Sequence, residues 1–455
     1  MEKRSGRWEL VITVNSPGEV SGWLAPVLDR IARARAGEKL DGRPVTSDER
    51  RDCAHACVGE EWDCRITVFV PPCPFASGAE CRVIRAIPGV DLVAGPAETF
   101  AYLLLGKKPQ GFTPLPKGAV LFLGGDLAYA ALLAKRLKYP ALAYTEGVAG
   151  WSGSFARFAV PYPYVGDKLL AKGVAKEKIR LVGNLMLDAV APRETKAGIR
   201  RRLGVEEGTP LLLLMPGSRP AHFEGMLPFF LRTAELVAQE IPGVKVVLSL
   251  SPFIADAQVT GALRGELAVL FGATGEYHPV GAVADKGEDA TLSGRLVTGE
   301  GLSITVSRGR YELMSAADLA LTIPGTNTME LSFLGTPMVV TLPLLYPERI
   351  PLEGLAGLLG GLPGVGKFLK RRLIPKLLEK TAFTAWPNRL AGEYIVPEIR
   401  GMVRPEDLTG KTVALLRDEE ERKATAARLK AIAGETGAAW RLTELLHEVL
   451  AERYG

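Results

Sequence analysis

At 455 residues, with 47% hydrophobic and 24% charged side chains, the chain has the composition of an ordinary globular protein and length for about three domains of ~150 residues, or two larger ones. Its net charge of +5 is small for that length, and no basic stripe with interleaved aromatics occurs, which argues against nucleic-acid binding. No run approaches the ~18 apolar residues that span a bilayer.

The N-terminus passes from a basic start straight into an apolar strand at 10–14. It has neither the apolar core nor the small-residue cleavage site of a signal peptide, so a cytoplasmic location is expected. The turn Pro17-Gly18-Glu19 follows, and 24–36 has the spacing of an amphipathic helix. Residues 37–63 are polar and turn-rich and read as an inserted loop. The cysteines Cys53, Cys57, Cys64, Cys73 and Cys81 lie in or just after it, with His55 between the first two. Reduced thiols, a local disulfide and a metal site of Cys53, His55, Cys57 and Cys64 are all open readings. The spacing lacks the paired C-x2-C of structural zinc, so no metal is expected. Strands are predicted at 65–70, 90–95, 119–126, 141–147, 158–163 and 179–184, with a helix over 132–138.

The second half repeats the rhythm. A strand at 211–217 leads to a helix over 223–241, strands at 244–252 and 302–307, then helix and strand over 308–325. This alternation predicts an α/β fold of two doubly wound parallel sheets with covering helices. Ligands of such sheets bind beyond the carboxyl ends of strands, near a topological switch, so a cleft between the halves is the expected site. The predicted domains are 1–190 (with the 37–63 insertion), 191–400 and a helical 401–455 packing across both. Residues 344–380 mix leucine, glycine and proline with Lys367, Lys370, Arg371, Arg372, Lys376 and Lys380. That stretch reads either as a membrane-interface segment, giving peripheral contact, or as a loop and helix folded on the core. Beyond Glu406 two polar amphipathic helices are expected.

Three glycine turns carry the candidate chemistry. Gly217-Ser218-Arg219 closes one buried strand and opens a helix; glycine admits close approach, and the hydroxyl and planar cation suit phosphate oxygens. Pro324-Gly325-Thr326-Asn327-Thr328 does the same a hundred residues later, with Glu330 one turn inside. Helix N-termini present N–H groups and positive potential to anions, and two of them suggest a diphosphate. Glu330 has the chemistry to hold vicinal ribose hydroxyls; a helix-start carboxylate favoured by the dipole is the plainer reading. The third turn, Asn15 to Gly22, contains Glu19, and Asp126 follows Gly124-Gly125 at another strand end. Each is a candidate acid or base, or simply a helix cap. Glu146 and His222 are reserves for the base.

The ordered set SPGEVSG, LFLGGD, LVGN, MPGSR, PGTNTMEL and GTPMVV, with Asn388 in a Pro-Asn…Leu-Ala…Gly…Val-Pro-Glu signature over 387–398, resembles the lipid-A-disaccharide synthases. The resemblance runs from about Leu10 to Glu398. It implies a GT-B glycosyltransferase with two Rossmann-like domains facing a cleft. The implied reaction is inverting, metal-independent and cofactor-free, moving a glucosamine-type sugar from a UDP-sugar donor to a lipid-linked acceptor. Gly217, Ser218, Arg219, Gly325, Thr326, Asn327 and Thr328 would hold the diphosphate, Glu330 the ribose, and Asn388 would lie near the donor. A homodimer with exchanged C-terminal segments is also implied. Departures fall in the first half: Trp23 stands where the family has an acid, and Tyr129 where it has a second Asp. A UDP-N-acetylglucosamine 2-epimerase-like isomerase and a non-catalytic nucleotide-sugar-binding homologue are the alternatives.

Overall fold

A computed structural model describes residues 7–36, 62–72, 78–190, 192, 194–279, 292–343 and 381–455. They form two compact units, Met1–Ala189 with Gly434–Gly455, and Val190–Ala433. Most of the 37–63 insertion, including Cys53, His55 and Cys57, lies outside the described residues, as do Cys73 and the whole 344–380 stretch.

The first unit is built on seven parallel strands: β1 (Trp8–Thr13), β2 (Cys64–Phe69), β3 (Leu92–Ala94), β4 (Gly118–Phe122), β5 (Ala141–Tyr144), β6 (Arg157–Val160) and β7 (Ile179–Leu181), in spatial order β3-β2-β1-β4-β5-β6-β7. The strands read as continuous apolar runs because both faces are covered; Leu10, Val11 and Ile12 all have no exposure. Strand order reverses between β1 and β4, so the loops leaving those two strands flank the switch point. The helix expected over 24–36 is Ala25–Arg35, entered through a π-turn at Val20–Leu24.

The second unit carries β8 (Leu211–Met215), β9 (Lys245–Ser249), β10 (Gly275–Pro279), β11 (Leu292–Thr298), β12 (Ser303–Ser307), β13 (Leu319–Thr322), β14 (Met338–Pro343) and β15 (Glu398–Gly401), in order β10-β11-β12-β9-β8-β13-β14-β15. From β12 to β15 the sheet is parallel, but β10, β11 and β12 pair antiparallel. A wholly parallel sheet was expected. The four-residue link between β11 and β12 cannot hold a crossover, so it closes a hairpin instead. β8 shows the period-two logic of a doubly covered strand. Leu212 and Leu214 pack with Phe223, Phe229 and Phe230 of the helix Pro220–Glu240, while Leu211, Leu213 and Met215 pack with Met314 and Leu331 on the other face. Each such side chain contributes about 1.5–3 kcal/mol by leaving water. The switch point here lies between β8 and β13.

Three helices, not two, follow Arg404: Pro405–Arg417, Glu419–Ala431 and Ala438–Tyr454. Gly434 and Gly437, at φ +86° and +93°, break the run before the last one. The first two helices belong to the second unit and the last to the first unit. There Asp188 caps it, accepting from Gly437 N and Ala439 N at 2.6 Å each.

Candidate functional site

The second unit brings its two glycine turns to neighbouring strand ends. β8 and β13 are paired in register, Leu214 to Leu321 and Met215 to Thr322, so the loops that leave them emerge side by side. Gly217 sits at φ +111°, a conformation that L side chains rarely adopt, and an added Cβ would lie 2.9 Å from Ile323 Cδ1 in the other loop. Gly325, at φ +155° and ψ −170°, occupies a region open essentially to glycine alone. Gly217, Ser218 and Asn327 line one small pocket together with Ser249 at the end of β9 and Ser251 from the loop after it. Those two serines were not recognised in the sequence; Ser-Leu-Ser-Pro at a strand end was the available signal. Arg308 fixes their loop by donating to Ser251 O at 2.8 Å and Ile254 O at 3.0 Å.

Arg219 is the N-cap of the long helix Pro220–Glu240, half-buried, with extended backbone that turns the chain into the helix. Its carbonyl accepts from His222 N at 3.1 Å and Phe223 N at 2.9 Å. A guanidinium and a helix dipole thus share one end of one element. Burial, and then the charge of Arg219, hold the His222 imidazole below its ordinary 6.5, which suits a neutral side chain rather than a second cation. Asn327 donates to Thr322 Oγ1 at 3.2 Å, aligning it across the turn, and Thr326 is half-buried at the start of the helix Thr326–Leu334.

Three residues expected to hold the donor or lie near it are buried. Thr328 is fully buried; its hydroxyl donates to Gly325 O at 2.8 Å and accepts from Trp386 N at 3.0 Å. Asn388 is fully buried and uses its whole amide: Nδ2 donates to Val396 O at 2.8 Å and Glu398 Oε1 at 2.9 Å, and Oδ1 accepts from Ile395 N and Val396 N at 2.8 and 2.9 Å. It organises a loop and has no remaining capacity for a ligand. Glu330 has no exposure, with the Tyr311 hydroxyl 3.5 Å from Oε1, and does not line the Gly217 pocket. The Pro-Asn…Val-Pro-Glu signature is therefore a scaffold. Its hub is Glu398 at the head of β15, which also accepts from Thr384 N at 2.8 Å and Ala385 N at 3.0 Å. Through it the start of the helix Trp386–Ala391 is tied to the sheet; sequence reasoning gave Glu398 no such role.

In the first unit the loops after β1 and β4 also meet. The Glu19 carboxylate lies directly over Gly124, where a Cβ would come within 2.0 Å of Oε2. It accepts from Asn15 N and Ser16 N at 3.1 Å each, and the Ser16 hydroxyl caps the turn in return. Burial raises the Glu19 carboxyl above its ordinary 4.5, opposed by the backbone N–H groups of Asn15, Ser16 and Gly125. Asp126 is exposed and caps the helix Leu127–Leu137, accepting from Ala128 N at 2.8 Å. Glu146 is exposed in the loop after β5. Trp23, on the π-turn, stacks edge-on against Tyr144 with centroids 5.3 Å apart, and its buried indole Nε1 has no hydrogen-bond partner among the described residues.

A family model described as lipid-A-disaccharide synthetase matches residues 174–276 and 297–344. The lipid-A-disaccharide synthase of Burkholderia mallei is 29% identical over 269 residues, 58% of this chain and 54% of its own; the chain spans about half the length of the curated relatives it matches. The chain is similar to the lipid-A-disaccharide synthases over the region the family model matches, which contains both glycine turns of the second unit. Among solved structures, S. aureus MnaA in a co-structure with UDP aligns over 98% of this chain and 97% of its own at 12% identity and a TM-score of 0.53. A protein assigned as UDP-N-acetylglucosamine 2-epimerase from Listeria monocytogenes aligns over 98% of both chains at 14% identity and a TM-score of 0.50. At such identities the likeness is one of fold: two α/β domains of the GT-B type. No described helix is long and apolar enough to cross a membrane.

Proposed function

We propose that the chain is an inverting glycosyltransferase that moves a glucosamine-type sugar from a UDP-sugar to a lipid or lipid-like acceptor. The observation that carries this reading is the convergence of Gly217, Ser218 and Asn327 on one pocket at the switch point of the second unit, with Arg219 capping the adjoining helix. Ligands of doubly wound sheets bind at that place, and the lipid-A-disaccharide synthase likeness covers it.

The chemistry follows from the charges. The acceptor hydroxyl loses its proton to a carboxylate as its oxygen forms the new bond to the sugar's anomeric carbon, and the bond to UDP breaks on the opposite face. The departing diphosphate gains negative charge, which Arg219 and the N-terminus of the helix Pro220–Glu240 stabilise without a metal. Thr326 and Asn327 add donors from the second helix. Glu19 is the stronger candidate for the base. Its pKa is raised toward the working range by burial, whereas Asp126 is engaged in holding a helix end.

Titration calorimetry with UDP and UDP-N-acetylglucosamine tests the reading at its root, with binding of both expected. Absence of heat with either nucleotide would remove it. Incubation of labelled UDP-sugar with lipid extract from the protein's own source, followed by mass spectrometry, then identifies the product; an epimerised free nucleotide sugar without glycolipid would replace transferase by isomerase.

A further inference from the structure

Two side chains of the loop after β1 rest on two successive glycines of the loop after β4. Glu19 lies over Gly124. Asn15 lies over Gly125, which sits at φ +91° and where a Cβ would come 3.0 Å from Asn15 Nδ2. The Glu19 carboxylate is well supplied with partners, from Asn15 N, Ser16 N and the backbone of Gly125. The Asn15 side chain is not. The residue is only 5% exposed, yet among the described residues no group hydrogen-bonds its amide; only its backbone N–H is used, on Glu19. An asparagine at a strand end ordinarily bonds the backbone two residues on. Here the Ser16 hydroxyl closes the turn instead, accepting from Glu19 N.

Two more polar groups of the same segment lack partners among the described residues. One is the Thr13 hydroxyl, at the last position of β1, and the other is the Trp23 indole N–H, on the turn that follows Glu19. Buried polar groups are nearly always hydrogen-bonded, and leaving one unpaired costs free energy. Three within 13–23, on either side of Glu19, set this strand end apart from the rest of the first unit. Thr13 Oγ1 and Trp23 Nε1 are enclosed, so Asn15 is the group that a ligand meets.

The charges of these loops select the class of ligand. Neither 14–23 nor 123–126 contains a lysine, arginine or histidine, and both contain an acid, Glu19 and Asp126. Such a site repels phosphate and carboxylate groups. The Asn15 amide offers two donors and an acceptor, the set that matches neighbouring hydroxyls on an uncharged ring. The paired glycines let such a ring come close to the backbone.

We propose that the Asn15 amide is the sugar-recognising group of the first unit, holding the hydroxyls of an uncharged pyranose ring over Gly125, beside Glu19. That this sugar is the acceptor of transfer rests on the glycosyltransferase reading; that the site binds a neutral sugar does not. Asn15 is then a specificity-determining residue. A site built to hydrogen-bond a hydroxyl rejects a ring that lacks it far more strongly than an apolar pocket rejects a misfit.

Saturation-transfer NMR of the full chain with octyl β-glucoside, below the concentration at which it forms micelles, tests the assignment. Saturation is expected to reach the ring protons of the glucoside, and inorganic phosphate should not displace it. Asn15→Leu, similar in size but without polar atoms, should weaken binding about tenfold to a hundredfold, the range for a lost pair of neutral hydrogen bonds. The amide has no internal partner to lose, so the variant should melt with the parent; Asn15→Ala, a plain truncation, repeats the measurement if it does not. In transfer from UDP-N-acetylglucosamine to lipid extract, Asn15→Leu should raise the acceptor KM while calorimetric binding of UDP is unchanged. A parent that leaves the ring protons unsaturated, equal binding by parent and both variants, or displacement by phosphate would overturn the assignment. Glucoside binding that depends on Asn15 in a chain that binds no UDP would uphold the sugar site while removing the glycosyltransferase reading.

Discussion

The two switch points share a topology and differ in what fills them. In each unit two loops leave adjacent strands where the strand order reverses, β1 and β4 in the first, β8 and β13 in the second. In the first, backbone N–H groups of Asn15 and Ser16 converge on the protein's own anion, the Glu19 carboxylate lying against Gly124. In the second, neither 216–222 nor 323–328 contains an acidic residue; glycine, hydroxyls and an amide line the pocket, and Arg219 caps the adjoining helix. One fold device thus yields a resident carboxylate in one unit and a pocket lined by no acid in the other. The choice is made by a single side chain, because the backbone donors that welcome an anion do not distinguish a glutamate from a phosphate.

The sharpest attack on this comparison is to neutralise the resident anion. Glu19→Gln should lower kcat by about 10²–10⁴-fold while leaving UDP affinity unchanged by calorimetry. With the parent, the acid limb of kcat/KM should lie above pH 4.5, because burial raises the Glu19 carboxyl and the base acts only when ionised; in the variant that limb should vanish. A variant with full activity would return Glu19 to a purely structural role.

Next in size is the scaffold under the second pocket. Asn388→Ala leaves the N–H groups of Ile395 and Val396 and the carbonyl of Val396 short of partners, at about 1–3 kcal/mol for each buried group left unpaired. The expected loss is about 3 kcal/mol, read as a lower denaturant midpoint or melting temperature of the second unit. If stability held and only nucleotide affinity fell, Asn388 would be a ligand contact after all.

Arg219→Ala should weaken UDP binding by about tenfold to a hundredfold, the range for a lost charge-assisted hydrogen bond, with the melting temperature unchanged. Unaltered affinity would show that the second unit's pocket does not take diphosphate.

The smallest effect concerns His222. Its folded pKa is depressed, so the stability it contributes is fully present above about pH 6.5 and is lost as pH falls through the lower folded value. His222→Gln should flatten that part of the stability curve; an identical curve would show that the imidazole is not held neutral.

Much of this was legible in the chain because the glycine turns are backbone necessities. Gly217 and Gly325 are glycine for their φ angles, and buried runs such as LLLLM announce doubly covered strands. The antiparallel strand β10 was hidden because 275–279 has no apolar alternation and is largely exposed. The internal partners of Thr328, Asn388 and Glu398 were not legible for a different reason. An amide or hydroxyl beside a glycine turn looks the same in sequence whether it meets a ligand or another loop, and only the partners distinguish them. Trp23 was visible as an oddity, but an indole N–H without a partner among the described residues was not.

The return of residues 434–455 to the first unit has a temporal consequence. Leu442, Leu446 and Val449 complete a core whose other members end before residue 190. During synthesis at about 5–20 residues per second, the early unit must therefore wait on the order of 10–50 s on the ribosome for its last helix, holding an unfinished apolar surface while the later unit is made. Its vulnerability to chaperones and proteases is set by that delay as much as by its final stability.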